Sequence, residues 1–254
     1  MVEGVIFDLD GTLADTMGDL ETAMNSMLTK MGYPTRTRDE LLGFINNGAR
    51  EFVRRSLPEE VQDSEVIINT ALSFYDEAYQ LCYSQKTALY EGIKEAVLAL
   101  TEMGVKVAVL SNKQDRFVKN IIDKLFDKKL FSAVVGQSSL PPKPNPQIVQ
   151  FTTKKMRVKT SRCIMVGDSD VDMRTAIASG MRAIGVSWGY RDSLLLKQNG
   201  ADYIANKPEE IVKIVDELIK SEPKRTLRDL FKKIKGKKAK EEATEKKAEG
   251  DKEE

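Results

Sequence analysis

Two carboxylates stand one residue apart near the start of the chain. Asp8 and Asp10 follow the apolar run 5–7, and Gly11 comes directly after them. A short apolar run predicts a buried strand, and glycine is typical of a turn. Two acids at one strand end repel each other unless a positive charge lies between them. Because magnesium prefers carboxylate oxygens, the pair could hold this ion, although a polar turn that only ends the strand is the alternative.

Three later stretches also place polar side chains after predicted strands. They are Ser111-Asn112-Lys113, the loop residue Lys143, and the acids Asp168, Asp170 and Asp172. Ligands bind at the carboxyl edge of a parallel sheet, where the strand ends meet. Taken singly, each stretch has an ordinary explanation: a turn, a solvated lysine, or acids favoured at a helix N-terminus. Four such stretches in this order, each after a strand, favour one shared site.

The elements that must position these residues are predicted from the spacing of apolar residues. Predicted strands lie at 5–7, 105–110, 133–135, 163–166, 183–186 and 203–204. Predicted helices lie at 17–31, 39–45, 49–57, 64–83, 93–103, 117–126, 147–156, 171–179 and 208–219. Alternating strands and helices predict an α/β fold, with a Rossmann-like parallel sheet covered by helices on both faces. No strand pattern interrupts 16–85, which predicts an all-helical insert after the first strand.

This pattern divides the chain into three regions. They are an α/β core at 1–14 and 88–220, a helical insert at 15–87, and a charged segment at 221–254. In the last region a short apolar stripe among lysines and arginines is formed by Leu227, Leu230, Phe231 and Ile234. The stripe could contact an anionic membrane or a partner, which the sequence does not identify, or it could be a frayed or self-docked helix. Residues 235–254 are rich in Lys, Glu and Ala and are predicted to be disordered.

Composition excludes several kinds of chemistry. The 254 residues contain no histidine, which rules out a Ser-His triad and imidazole metal ligands. Cys82 and Cys163 both lie in apolar runs, as expected for core residues in a reducing compartment. A net charge of +1 gives no electrostatic reason to expect nucleic acid as a partner. We see neither a signal peptide nor an apolar run that could span a bilayer, so a cytoplasmic protein without an integral membrane segment is expected.

The polar stretches resemble the motifs of a known family. They read Phe7-Asp-Leu-Asp-Gly-Thr-Leu-Ala-Asp-Thr16, Leu110-Ser-Asn-Lys113, Lys143-Pro-Asn-Pro146 and Val166-Gly-Asp-Ser-Asp-Val-Asp172. In this order they resemble the haloacid dehalogenase superfamily of phosphohydrolases. Within it, the chain is most similar to the phosphoglycolate-phosphatase-like branch, which carries a helical cap after the first strand. The resemblance covers about 2–219 and leaves out the charged tail.

The resemblance implies a role for each acid. Asp8 is the expected nucleophile, forming an aspartyl-phosphate, and Asp10 the expected acid and base, which also offers its backbone carbonyl to the metal. With Asp8 and Asp10, Asp168 is the expected metal ligand for Mg²⁺. Asp172 is expected to orient water near the ion, or Lys143. The residues alone do not decide whether Asp170 or Asp172 lies nearer the ion; the family spacing favours Asp172.

The resemblance also implies the phosphate-binding groups. The Ser111 side chain and the Asn112 backbone are expected to bind phosphoryl oxygens. Lys143 is expected to neutralise the phosphate and the charge of Asp8, which makes it both a phosphate-binding and a catalytic residue. The expected partner is therefore a small phosphorylated metabolite.

The helical insert is expected to close over this site as a cap. Its best candidate contacts with substrate are Asn47, Gly48 and Arg50: glycine allows close backbone approach, and arginine can clamp a second anionic group. A solvated loop arginine is the alternative. The expected hinges are 13–14 and 88–89.

Several functions remain open from the sequence. The first is a Mg-dependent phosphatase acting on a small phosphate monoester such as 2-phosphoglycolate. The second is a phosphosugar mutase similar to β-phosphoglucomutase, although Thr12 resembles the phosphatases, whereas the mutases usually carry valine. Dehalogenase chemistry is disfavoured by Asp10, since that branch lacks the second acid. The remaining candidates are a pyrophosphatase, an inactive relative that only binds a phosphorylated ligand, and an interaction protein acting through its tail.

Overall fold

A computed structural model of the protein describes residues 2–126 and 130–221. Its strands are β1 (Gly4–Phe7), β2 (Ala14–Asp15), β3 (Ala88–Leu89), β4 (Lys106–Gln114), β5 (Phe131–Gln137), β6 (Cys163–Gly167), β7 (Arg182–Val186) and β8 (Tyr203–Ala205). Its α-helices are α1 (Met17–Lys30), α2 (Arg38–Phe44), α3 (Ala49–Ser56), α4 (Glu65–Cys82), α5 (Ile93–Glu102), α6 (Asp115–Leu125), α7 (Pro146–Met156), α8 (Asp170–Ser179), α9 (Ser193–Gln198) and α10 (Pro208–Ser221).

Six of the strands form one parallel sheet in the order β5-β4-β1-β6-β7-β8. The first strand lies inside the sheet, where Phe7 is in register with Val109 on one side and Val166 on the other. Because β1, β4 and β6 are parallel neighbours, their carboxyl ends meet at one edge. The predicted α/β class, with a parallel sheet flanked by helices, is confirmed.

The sheet packs through apolar residues that alternate along its strands. In β1, Ile6 joins a buried cluster formed with β4–β7 and with helices α7, α8 and α9. That cluster includes Ala108, Leu110, Ile148, Val149, Met156, Met165, Met173, Ala176 and Leu196. Val5 and Phe7 are also fully buried, so β1 is covered on both faces, as is typical of a strand inside a parallel sheet.

The segment between β1 and β4 has its own apolar core. Helices α1, α3 and α4 supply most of it, and Phe117 of α6 also joins it. Its buried members include Met17, Met24, Met27, Leu28, Phe52, Val53, Ala71, Tyr75 and Tyr79. The α1 methionines Met17, Met24 and Met27 therefore belong to the core of this segment.

Some details differ from the sequence prediction. The second sheet strand was predicted at 105–110 but continues to Gln114, so Ser111 and Lys113 lie within it. Helix α9 was missed, and so was the short antiparallel pair of β2 with β3. This pair joins the two chain segments that enter and leave the helical insert, at the positions expected to be hinges.

The predicted apolar stripe and charged tail at 221–254 lie, apart from residue 221, outside the described residues. Among the helices that the structure describes, none combines the length and the hydropathy needed to cross a bilayer.

Candidate active site

Three carboxylates from two strand ends form one buried cluster. Asp8 follows β1, Asp168 follows β6, and Asp172 lies in the first turn of α8. Each offers one oxygen, and these oxygens lie within 4.8 Å of one another. The predicted convergence of Asp8 and Asp168 is therefore what the structure shows. Asp172 joins them, whereas Asp170 points away and pairs with Arg174.

The Lys143 ammonium connects two of these acids. Its Nζ lies 3.0 Å from Asp8 Oδ1 and 2.7 Å from Asp172 Oδ1. The side chain is almost fully buried, which lowers the pKa of Lys143, but the carboxylates of Asp172 and Asp8 outweigh burial and raise its pKa above the usual range. Lys143 therefore remains charged.

One ammonium does not balance three buried acids. Burial raises the pKa of Asp8 to about 8, against the lowering effect of Lys143. Burial and the neighbouring Asp172 raise the pKa of Asp168 to about 7, against hydrogen bonds from Tyr190 and Thr12. A divalent cation among these oxygens would supply the missing positive charge, and hard carboxylate oxygens are the ligands that Mg²⁺ prefers. The donor set therefore fits a magnesium ion.

Local hydrogen bonds fix the direction of Asp168. Its Oδ1 accepts from the Thr12 hydroxyl at 2.8 Å, and its Oδ2 accepts from the Tyr190 backbone N–H at 2.8 Å. Gly11 has φ +79°, and a Cβ there would lie 2.2 Å from Asp168 Oδ2. Glycine is thus required at position 11 both for the turn and for the close approach of the carboxylate.

A helix cap fixes the direction of Asp172. Ser169 is the N-cap of α8, and its hydroxyl accepts from the Asp172 N–H. In return, Asp172 Oδ2 accepts from the Ser169 backbone N–H at 3.2 Å and from its hydroxyl at 2.6 Å. This reciprocal capping box leaves Oδ1 for Lys143.

Asp10 has a separate set of partners that the sequence pattern did not predict. Its Oδ1 accepts from Lys113 Nζ at 2.6 Å and from the Thr16 hydroxyl. Thr16 is the N-cap residue of α1, but its side chain makes no capping bond. The sequence contained one indication of the Lys113 contact: residues two apart in a strand share a face, so Lys113 should face the same way as Ser111. The strand register is irregular between Leu110 and Gln114, which weakens this indication.

The Asn112 side chain holds the Lys143 loop. Its Nδ2 donates to the Lys143 carbonyl at 3.0 Å, and its Oδ1 accepts from the Lys143 N–H at 2.8 Å. The same amide donates to the Asn46 carbonyl of the insert at 3.2 Å. Ser111 is buried and, like Asn112, lines the cleft that contains Asp8 and Asp10.

The three predicted cap contacts do not come together. Gly48 lines the cleft, with φ +83°. Asn47 is exposed and is not among the lining residues. Arg50 is also exposed and lies outside the lining, where it donates to Asn69 Oδ1 at 2.7 Å and pairs with Glu65. These nearby acceptors on α4 compete for the guanidinium, which a sequence pattern does not reveal.

Comparisons with known proteins agree with this geometry. A family model described as haloacid dehalogenase-like hydrolase matches residues 5–186. A phosphoglycolate phosphatase from Pseudomonas syringae pv. tomato is 34% identical over 190 residues, covering 73% of this chain and 70% of the relative. A phosphoglycolate phosphatase from Vibrio parahaemolyticus is 30% identical over 216 residues, covering 83% of this chain and 95% of the relative.

A comparison with solved structures also finds a similar protein. One from Haemophilus somnus, described as a predicted phosphoglycolate phosphatase, is 27% identical and has a TM-score of 0.77. The match covers 84% of this chain and 98% of that one. The acid cluster, its lysine and these matches show that the chain belongs to the haloacid dehalogenase-like hydrolases and is a phosphoric monoester hydrolase.

Proposed function

We propose that the protein is a Mg-dependent phosphatase that hydrolyses a small organic phosphate monoester through an aspartyl-phosphate on Asp8. The observation that carries this proposal is the place of Asp8, which lines the cleft beside Lys143 and the two other acids. Its Oδ1 accepts from the Leu9 N–H at 2.7 Å and contacts Lys143. Within the described contacts, Oδ2 is the oxygen left for attack.

In the first step, an oxygen of Asp8 forms a bond to phosphorus while the bond from phosphorus to the ester oxygen breaks. Asp10 gives its proton to that departing oxygen, so the alcohol leaves neutral. In the second step, a water oxygen bonds to phosphorus, Asp10 takes a proton from the water, and phosphate leaves Asp8. Both steps return the two acids to their starting forms.

Positioning and charge neutralisation together provide most of the rate enhancement in phosphoryl transfer. Lys143 supplies a fixed positive charge at Asp8. In this proposal the Ser111 hydroxyl and the Asn112 backbone, which line the cleft, bind phosphoryl oxygens. A magnesium ion would be held by Asp8 and Asp168 with the Asp10 carbonyl, while Asp172 would orient Lys143 beside it. When bound, it neutralises charge on the phosphoryl group and on the acids.

The helical insert serves as the cap in this proposal. The cleft is lined from the sheet side by Ser111 and from the insert by Ile45, Gly48 and Phe52. Movement about the β2–β3 pair would open it to substrate, and closure would exclude water.

A substrate panel tests the proposal. The purified protein should release phosphate from at least one small monoester, with 2-phosphoglycolate tried first because of the relatives' names. Release should require magnesium and should be lost in Asp8→Asn. Binding of esters without turnover in magnesium would contradict the proposal, as would isomerisation of a hexose phosphate, which would identify a mutase.

A further inference from the structure

The cleft above Asp8 and Asp10 has mostly apolar walls. Its apolar and aromatic lining consists of Leu20, Ile45, Ala49, Phe52, Tyr75, Tyr79 and Phe117. A charged group on the substrate loses hydration in such a place, and this costs free energy unless an opposite charge meets it.

Lys113 is the only lysine or arginine among the described residues that line this cleft. Its side chain is 6% exposed, and its Nζ lies 5.0 Å from the centre of the Tyr79 ring. Among the described side chains its one hydrogen-bond acceptor is Asp10. An ammonium has three N–H donors, so two remain for a ligand.

The bond to Asp10 fixes where Lys113 stands relative to the substrate. In the proposed reaction Asp10 contacts the ester oxygen. Lys113 bonds to the same carboxylate, so its Nζ lies within about 8 Å of that oxygen, since each hydrogen bond spans about 3 Å and the two carboxylate oxygens lie about 2 Å apart. A carboxylate on the first carbon of the alcohol places its own oxygens three covalent bonds from the ester oxygen, in the space between.

We infer that Lys113 binds a carboxylate on the leaving alcohol and so determines which phosphate monoesters the cleft accepts. This inference rests on the proposed phosphatase activity and makes Lys113 a specificity-determining residue. Arg50, the cation expected from sequence to do this work, is held outside the cleft by Glu65 and Asn69.

The experiment compares two esters of similar size in wild type and variants. One is 2-phosphoglycolate, and the other is 2-hydroxyethyl phosphate, which has a neutral hydroxymethyl group in place of the carboxylate. Wild type should prefer 2-phosphoglycolate in kcat/KM. Lys113→Met should lower kcat/KM for 2-phosphoglycolate about 100-fold more than that for the neutral ester, because loss of the Asp10 partner affects both esters, whereas loss of the carboxylate partner affects only 2-phosphoglycolate.

Two further variants separate charge recognition from a structural role. Lys113→Arg keeps the charge and should retain part of the preference, mostly through KM. Arg50→Met should keep the whole preference. Equal losses on both esters in Lys113→Met would overturn the inference, because Lys113 would then act through Asp10 or the fold.

The result also separates this inference from the proposed function. Wild-type turnover of both esters without preference would overturn the role of Lys113 and leave the phosphatase proposal standing. Absence of turnover on every monoester of the panel would overturn the phosphatase proposal itself.

Discussion

Two lysine–carboxylate contacts lie beyond the carboxyl end of β1, and they differ in how the lysine is held. Lys143 contacts two acids, Asp8 and Asp172, and its backbone is bound on both sides by Asn112. Lys113 bonds to Asp10 alone among described side chains and borders the open cleft.

The two lysine–carboxylate contacts therefore serve different purposes. An ammonium enclosed by two carboxylates and a bound backbone is a fixed charge, suited to the phosphoryl group that every substrate shares. An ammonium with donors left over beside an apolar cleft can respond to the part of the substrate that varies. The surroundings of each lysine, rather than the ion pair, separate the two roles.

Removal of the fixed charge should have the largest effect. Lys143→Ala should lower kcat at least about 1,000-fold, as expected when a preorganised charge is lost from the reacting centre. The far-UV circular dichroism spectrum should stay that of wild type, since Lys143 lies in a loop. Near-normal turnover would contradict its assigned role. Lys119→Ala, at an exposed pair with Asp115, is the control.

Magnesium removal tests the role of the carboxylates that lie beside Lys143. A chelator should reduce turnover to background and restored Mg²⁺ should recover it. Magnesium at 100 times its dissociation constant should stabilise the wild type by about 2.7 kcal/mol, because it binds only the folded state. In thermal melts, magnesium should stabilise Asp168→Ala much less than it stabilises the wild type. Equal stabilisation of the two proteins would show that the ion binds elsewhere.

Loss of the Asn112 hydrogen bonds should leave the Lys143 ammonium less firmly positioned, so that its surroundings become more similar to those of Lys113. Asn112→Ala removes two hydrogen bonds to the Lys143 backbone and should lower the free energy of unfolding by about 1–3 kcal/mol. We expect kcat to fall about 10-fold, with a smaller change in KM. Urea unfolding and steady-state kinetics measure both. An Asn112→Ala enzyme as fast as the exposed control Asn120→Ala would show that Lys143 needs no such support.

The smallest effect is expected for an acid near the cluster but outside it. Asp170→Asn breaks an exposed pair with Arg174 and should cost less than about 1 kcal/mol. Its kcat should change less than about 2-fold, whereas the matched Asp172→Asn, which removes a charge from Lys143, should lose far more. Similar kinetics for the two variants would contradict the distinction between them.

The convergence of Asp8 and Asp168 could be predicted from sequence because strand ends are a local property. Apolar runs followed by Asp8, Ser111 and Asp168 identify strands that end in polar groups, and alternation with helices makes the sheet parallel. It follows that these groups share an edge. The capping box of Ser169 with Asp172 is local too, three residues apart, although its part in aiming Asp172 at Lys143 was not foreseen.

Only the tertiary structure decided which charged side chains form ion pairs with each other. Lys113 reaches Asp10 across 103 residues of sequence, and Arg50 turns to Glu65 rather than to the cleft. A long cationic side chain has several acceptors within reach, and the choice depends on their packed positions. Sequence thus determined where charged groups emerge from the fold, and packing determined how they pair, because ion pairing depends on distances of a few ångströms that no residue pattern contains.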